Sequence, residues 1–170
     1  MEPFEKRELI SLLNKCWMTH DAMWFYHCFR EFGIEKANTL NKAAIQSLAP
    51  IEVNRIMNFL GLEKEHIETF EEFKRFFEGA SELFIPDFMN ATMSFPRDNV
   101  FHWEFKPKEC FAYKGMQRVG VIDKYECGVI FRIACWIKSL GVKFDVNPKI
   151  TNCLMRDSEH CAGDFMLHFE

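Results

Sequence analysis

The chain has 170 residues, 48% of them hydrophobic and 15% aromatic, with 19 Phe and 9 Met, so one core is amply supplied and no covalent staple is needed for stability. A net charge of −4, a pI of about 5.9 and the lack of any basic run argue against a nucleic-acid surface. No stretch approaches the roughly 18 apolar residues of a membrane span, and the charged N-terminus lacks a signal peptide's apolar core; a cytoplasmic protein without a membrane partner is expected, its seven Cys reduced.

A first helix is expected from Pro3, which suits a first turn, with Glu2 and Glu5 at the positive end of its dipole. It runs through Leu9, Leu12 and Leu13 into the stretch Cys16 to Gly33, where apolar residues occupy the whole circumference. That pattern predicts a central post buried on several sides. Ile34, Ala37, Leu40, Ala44, Ile45 and Leu48 predict a second helix ended by Pro50, and Ile51, Ile56, Phe59 and Leu60 a third, closed by Gly61. From about Lys64, the stripe Ile67, Phe70, Phe73, Phe76, Phe77 and Ala80 opposes a solvated charged face, a strong amphipathic helix.

Composition changes at Pro86. Phe88 to Phe95 and Asn99 to Phe105 alternate apolar and polar residues around Pro96 to Asn99 and predict a hairpin. Pro107 to Glu126 reads as an irregular loop long enough to be functional. Val129, Ile130, Ile133, Ala134, Ile137 and Leu140 predict a helix stopped by Gly141, and Val142 to Val146, Ile150 to Met155 and Asp164 to Phe169 short strands. The order predicts one α+β domain over residues 1–170, a helical half at 1–84 and a sheet-plus-helix half at 85–170, with an antiparallel sheet covered on one face by helices.

The polar residues of the central stretch carry the chemistry. Cys16, His20, Met23 and His27 follow at helical spacings of four, three and four on one face. His20 and His27 lie about 10 Å apart along such a helix, too far to share one ion. His20 is therefore a pocket or catalytic candidate, and His27 a hydrogen-bonded core residue. Asp21, between Trp17 and Trp24, has two readings. An apolar setting disfavours its charged form and suits a general acid or base; alternatively it braces the helix through a Trp N–H or through Arg118 or Arg132. Trp17, Trp24, Phe111, Tyr113 and Arg132 are candidate ligand contacts, and the Phe and Met surplus either fills the core or lines a cavity. Cys110, Cys127, Cys153 and Cys161 fall at chain connections that can meet on one side of the domain, with His160 as a substitute ligand. A shared site there is either a thiol-lined pocket wall or a metal site, with zinc as the candidate ion, although no Cys-x-x-Cys knuckle is present. Cys127 precedes a helix, whose N-terminal N–H groups would lower its pKa and favour a catalytic thiolate. Cys28 and Cys135 read as core filler. Nucleophile elbows, phosphate loops, dinucleotide fingerprints and His-Glu-x-x-His pairs are absent.

Thr19 to Phe25 (Thr-His-Asp-Ala-Met-Trp-Phe), Glu31 to Ala37, Leu48 to Glu52, Glu109 to Gly115 and Gly120 to Gly128, with Cys153 and Cys161, together resemble an uncharacterised family of bacterial and archaeal cytosolic proteins over nearly the whole chain. More distantly, the half from Phe88 onward looks like aminothiazoline carboxylate hydrolases and four-vinyl-reductase domains, whose late Cys-x-Phe-x-Phe pattern is approximated by Cys161, Phe165, Leu167 and Phe169. The resemblance implies an α+β domain around a small-molecule pocket, sometimes with metal-binding cysteines. The expected function is small-molecule binding in an apolar pocket, or an enzyme acting on a small organic acid or heterocycle; the alternative is a metal- or redox-sensing module. Spare apolar residues on the second and third helices, Ile51, Met57 and Phe59, point to a homodimer.

Overall fold

Period-two alternation lays down the sheet. In the computed structural model, which describes residues 4–62 and 66–169, β1 (Ala91–Arg97) and β2 (Val100–Phe105) form the expected hairpin. Its turn is tightened to Asp98-Asn99, with Asn99 left-handed at φ 59°. The expected first turn at Pro3 falls outside the described residues, as does Lys64, but residues 66–69, Ile67 included, are not helical, and the helix expected from about Lys64 begins at Phe70. β2 pairs antiparallel with β4 (Cys161–His168), and β4 with β3 (Lys143–Asn147), giving the order β1-β2-β4-β3. Phe101, Trp103 and Phe105 of β2, with Phe165 and Leu167 of β4, are buried in the core.

Two helices with well-segregated stripes cover that apolar face. In α3 (Phe70–Phe84), capped by Thr69, whose hydroxyl accepts from the Glu72 N–H, the buried stripe is Phe73, Phe76, Phe77 and Ala80. The Phe77 ring centroid lies 4.3 Å from that of Phe101. In α5 (Gly128–Ser139) Ile130, Trp136 and Ile137 are buried, and Trp136 meets Phe76, Phe77 and Phe84. The result is an α+β fold.

The first helix, α1 (Lys6–Phe32), is not the buried post the sequence predicts. Asn14 alone among its residues is buried, its Nδ2 donating to the carbonyls of Ile10 and Leu83 at 2.9 Å each. Leu13, Trp24 and Phe32 are each more than half exposed, and His27 is exposed rather than a core residue. Apolar residues all round a helix do not single out a face. With the sheet already covered by α3 and α5, α1 takes an outer place against the second helix.

That second helix, α2 (Ile34–Phe59), runs unbroken through Pro50, where two helices were expected. An interior proline costs about 3 kcal/mol. Val53, Ile56 and Met57, just beyond it, are buried mainly against α5, and at about 1.5–3 kcal/mol per side chain they outweigh that cost. Met57 therefore belongs to the core and not to a dimer surface, while Ile51 and Phe59 are 49% and 69% exposed. Two further segments differ. Pro107 to Glu126 contains α4 (Phe111–Val119), closed by left-handed Gly120, and a 3₁₀ turn at Ile122–Lys124. Ile150 to Met155 is not a strand: the Cys153 carbonyl accepts from the N–H groups of Arg156 and Asp157 and opens α6 (Leu154–Ser158). Among the described residues no helix is long and apolar enough to cross a membrane.

Candidate functional site

The elements around α5 leave a cavity of about 200 Å³, walled by α1, α2, α4, α5 and the hairpin. Trp17, Phe25, Phe111, Tyr125 and Trp136 supply aromatic walls, and Met18, Met89, Met93 and Met116 adaptable ones. Engineered apolar cavities of about 150 Å³ already take up benzene, so this one has room for a substituted ring.

Its polar end is built by three helices. Arg132 of α5 engages Glu52 of α2 in bidentate fashion, with Nε donating to Oε2 at 3.0 Å and Nη2 to Oε1. The Trp136 Nε1 donates to the same Oε2 at 2.8 Å. The guanidinium lies 4.4 Å from the Trp17 ring centroid and 5.5 Å from that of Trp136. Trp17 and Asp21 are one turn apart on α1, as are Arg132 and Trp136 on α5, so each helix presents an aromatic and an ionisable residue together. Glu52 is only 8% exposed, and its charge is met by both a cation and an indole N–H.

Asp21 is different. It lines the cavity, but among the described residues no hydrogen bond or ion pair joins it to a Trp, to Arg118 or to Arg132, so it is not a brace. Although surface-accessible, its carboxyl faces apolar walls, and desolvation pushes its pKa up; Arg132 and His20 partly offset this, while Glu52 adds to it. The cavity thus holds a carboxyl disposed to stay protonated to higher pH than an ordinary Asp.

Of the residues singled out from the sequence, Trp17, Asp21, Phe111 and Arg132 line this cavity. His20 and Trp24 do not: they pair with each other at the exposed surface, the Trp24 Nε1 donating to His20 Nε2 at 3.2 Å. Tyr113 faces a second cavity and its hydroxyl accepts from Gln117 Nε2 at 2.6 Å. Glu52 and Trp136 escaped the sequence reading. Glu52 left a signal, being the one acidic residue within the apolar stripe Ala49, Val53, Ile56 and Met57 of α2.

Cys110, Cys127, Cys153 and Cys161 all line that second cavity, of about 10 Å³, beside Tyr113 and Tyr125. Its volume is that of a single water. Burial pushes the Cys127 and Cys161 thiols up to about 12, and raises Cys110 and Cys153 as well. At Cys127 this reverses the expected lowering. The thiol does sit at the N-terminus of α5, where the N–H groups of Ile130 and Val129 favour the thiolate, but desolvation is the larger effect. Among the described residues no three His, Cys, Asp or Glu side chains are arranged to hold a metal ion, so the expected zinc site is not formed. His160 is no substitute ligand, since it pairs with Glu104 at 3.0 Å in an exposed position. Cys135 is buried and Cys28 partly so, while Cys16 is exposed.

No curated protein and no solved structure matches the chain, and nothing in these comparisons supports the distant likeness to aminothiazoline carboxylate hydrolases or four-vinyl-reductase domains. A family profile does match, over residues 4–134, a span that carries Trp17, Asp21, Glu52, Phe111 and Arg132 but ends before Cys153 and Cys161. Its description is Family of unknown function (DUF6125), and to that family the chain belongs.

Proposed function

We propose that the chain is a small-molecule-binding domain whose ligand occupies the cavity between α1, α5 and the hairpin. The observation that carries this reading is a largely apolar cavity of about 200 Å³ in which, among the described residues, Asp21 and Arg132 are the only charged ones in the lining, the combination of apolar walls and few polar groups that marks ligand sites. In its narrower form the reading is an enzyme acting on a heterocycle or small organic acid, with Asp21 as general acid or base. A carboxyl pushed up by desolvation exchanges its proton nearer neutral pH than an ordinary one. His20 and Cys127 do not face this cavity, so that chemistry rests on Asp21. The test uses a non-emitting nitroindole as the probe. Saturable quenching of tryptophan fluorescence by indole analogues that do not themselves emit is expected in the native protein, and its loss in Ala22→Phe, which puts a ring into the cavity. Quenching that rises linearly without saturation would overturn the reading.

The second reading is a metal- or redox-sensing module, favoured by the meeting of four cysteines at one cavity. The protonated state of those thiols opposes it, because the thiolate is the form that binds metals and reacts. Iodoacetamide at pH 8 is expected to label exposed Cys16 in the native protein and to spare Cys110, Cys127, Cys153 and Cys161. Rapid labelling of those four would favour the sensor. The same burial sets an alkaline limit on stability. The folded Cys127 and Cys161 stay protonated up to about 12, whereas ordinary thiols ionise near 9.0. Stability from this source is complete below about 9 and declines as pH rises through about 12.

A further inference from the structure

The charge balance of the large cavity limits what it can hold. Arg132 is already neutralised, with two of its nitrogens on Glu52 and its guanidinium over the rings of Trp17 and Trp136. A ligand carboxylate at this end would meet a cation already paired with Glu52, with the unpaired Asp21 carboxylate beside it. Arg132, Glu52 and Asp21 together carry one net negative charge, and it belongs to Asp21, which has no hydrogen-bond or ion-pair partner among the described residues. The rings of Trp17, Phe25, Phe111 and Tyr125 complete the wall, and aromatic faces attract cations and repel anions.

We infer, on the basis of the small-molecule reading above, that the cavity selects a hydrophobic monocation, an amine or a protonated nitrogen heterocycle, with its charged nitrogen on the Asp21 carboxylate and its apolar body among the aromatic walls. The groups that face Asp21 are His20 on its own helix, Glu52 on α2 and Arg132 on α5. At Asp21 the Arg132 cation outweighs the more distant influence of Glu52, so a ligand cation competes with Arg132 and His20 for the carboxylate. Desolvation raises the pKa of Asp21, and a cation bound to the carboxylate favours its ionised form and lowers that pKa. Binding to protonated Asp21 therefore releases a proton, and affinity falls as pH is lowered through the titration of this carboxyl.

Three probes of similar shape and different charge test this: 2-phenylethylamine, 2-phenylethanol and 3-phenylpropanoate, titrated calorimetrically into the native protein and into Asp21→Asn. The amine is expected to bind roughly three- to tenfold more tightly than the alcohol, as a charge-assisted bond and cation–π contacts at a partly exposed carboxylate should, and the carboxylate most weakly. In Asp21→Asn the amine should fall to the affinity of the alcohol while the alcohol is unchanged. In the native protein the amine's affinity should drop on acidification and the alcohol's should not, a measurement that needs no variant; His20→Gln should keep that slope, which separates Asp21 from its neighbour. Binding of the alcohol or carboxylate as tight as that of the amine would overturn the charge selection and leave the cavity reading intact. Failure of all three to bind would overturn both.

Discussion

Replacing Glu52 by alanine is expected to destabilise the protein by about 3 kcal/mol, at the lower edge of the range of about 3–5 kcal/mol for breaking a buried ion pair. The lower edge is chosen because the Arg132 side chain keeps 19% of its surface and Glu52 9%, so water screens part of the loss. Two groups are stranded at once. Arg132 loses its carboxylate partner behind the cavity wall, and the Trp136 Nε1 loses its acceptor inside a packed aromatic cluster. Urea denaturation measures the effect directly, and the melting temperature should fall by roughly 6–12 °C on the usual scaling for a chain of this size. Replacing both partners, as in Glu52→Leu with Arg132→Met, should recover most of the loss, because the desolvation cost of the charges disappears with them. A loss below about 1 kcal/mol for Glu52→Ala would mean that the pair behaves as an ordinary surface bridge.

The other large effect is expected at Gly163 on β4. A Cβ there would stand 2.4 Å from both Cζ2 and Cη2 of Trp103 and 2.6 Å from the Asn147 carbonyl oxygen on the other side. Neither neighbour can give way: Trp103 is fully buried at the centre of the sheet, its ring tilted 50° against that of Phe165 at 5.0 Å between centroids, and Asn147 is held by its pairing with β4. Gly163→Val should cost at least about 3 kcal/mol, the upper end for overpacking a core, read as loss of soluble yield and a lowered thermal midpoint. Gly115→Ala is the control, since nothing stands within 4 Å of the added Cβ and the site is inside α4. It should be neutral or stabilising by up to about 1 kcal/mol. A Gly163→Val protein as stable as that control would show that the strand spacing around Trp103 is looser than described.

What could be read from the sequence follows how cleanly each segment separates its apolar and polar faces. The α3 stripe and the Phe101-Trp103-Phe105 alternation are legible because burial on one side leaves a period that chance seldom produces. The position of α1 was not, because residues such as Leu13, Trp24 and Phe32 give it no preferred face, and only competition for the sheet decides which helix is left outside. α4 was hidden by its nine-residue length and internal Gly115, and the continuity of α2 by Pro50, whose penalty is offset by contacts with α5 that no local pattern records. At the cavity, Trp17, Asp21, Phe111 and Arg132 were legible as unusual residues in apolar surroundings, whereas their division of labour depended on Glu52. The same limit explains Cys127: its place at a helix start can be read locally, but the degree of burial that reverses its acidity belongs to the tertiary structure.

The lone carboxyl of Asp21 sets stability against recognition at a single side chain. Its folded pKa is raised, so the fold is most comfortable with Asp21 protonated, and that comfort is lost as pH climbs through its titration. A designer seeking only a sturdier protein would remove the carboxylate first, and selection for stability alone would do the same. Asparagine at this position is expected to stabilise the fold slightly and to remove the unpaired charge from the cavity wall, leaving the Arg132–Glu52 pair. A cation bound at Asp21 as inferred above would relieve that cost, so a charge unfavourable to the fold would serve the ligand.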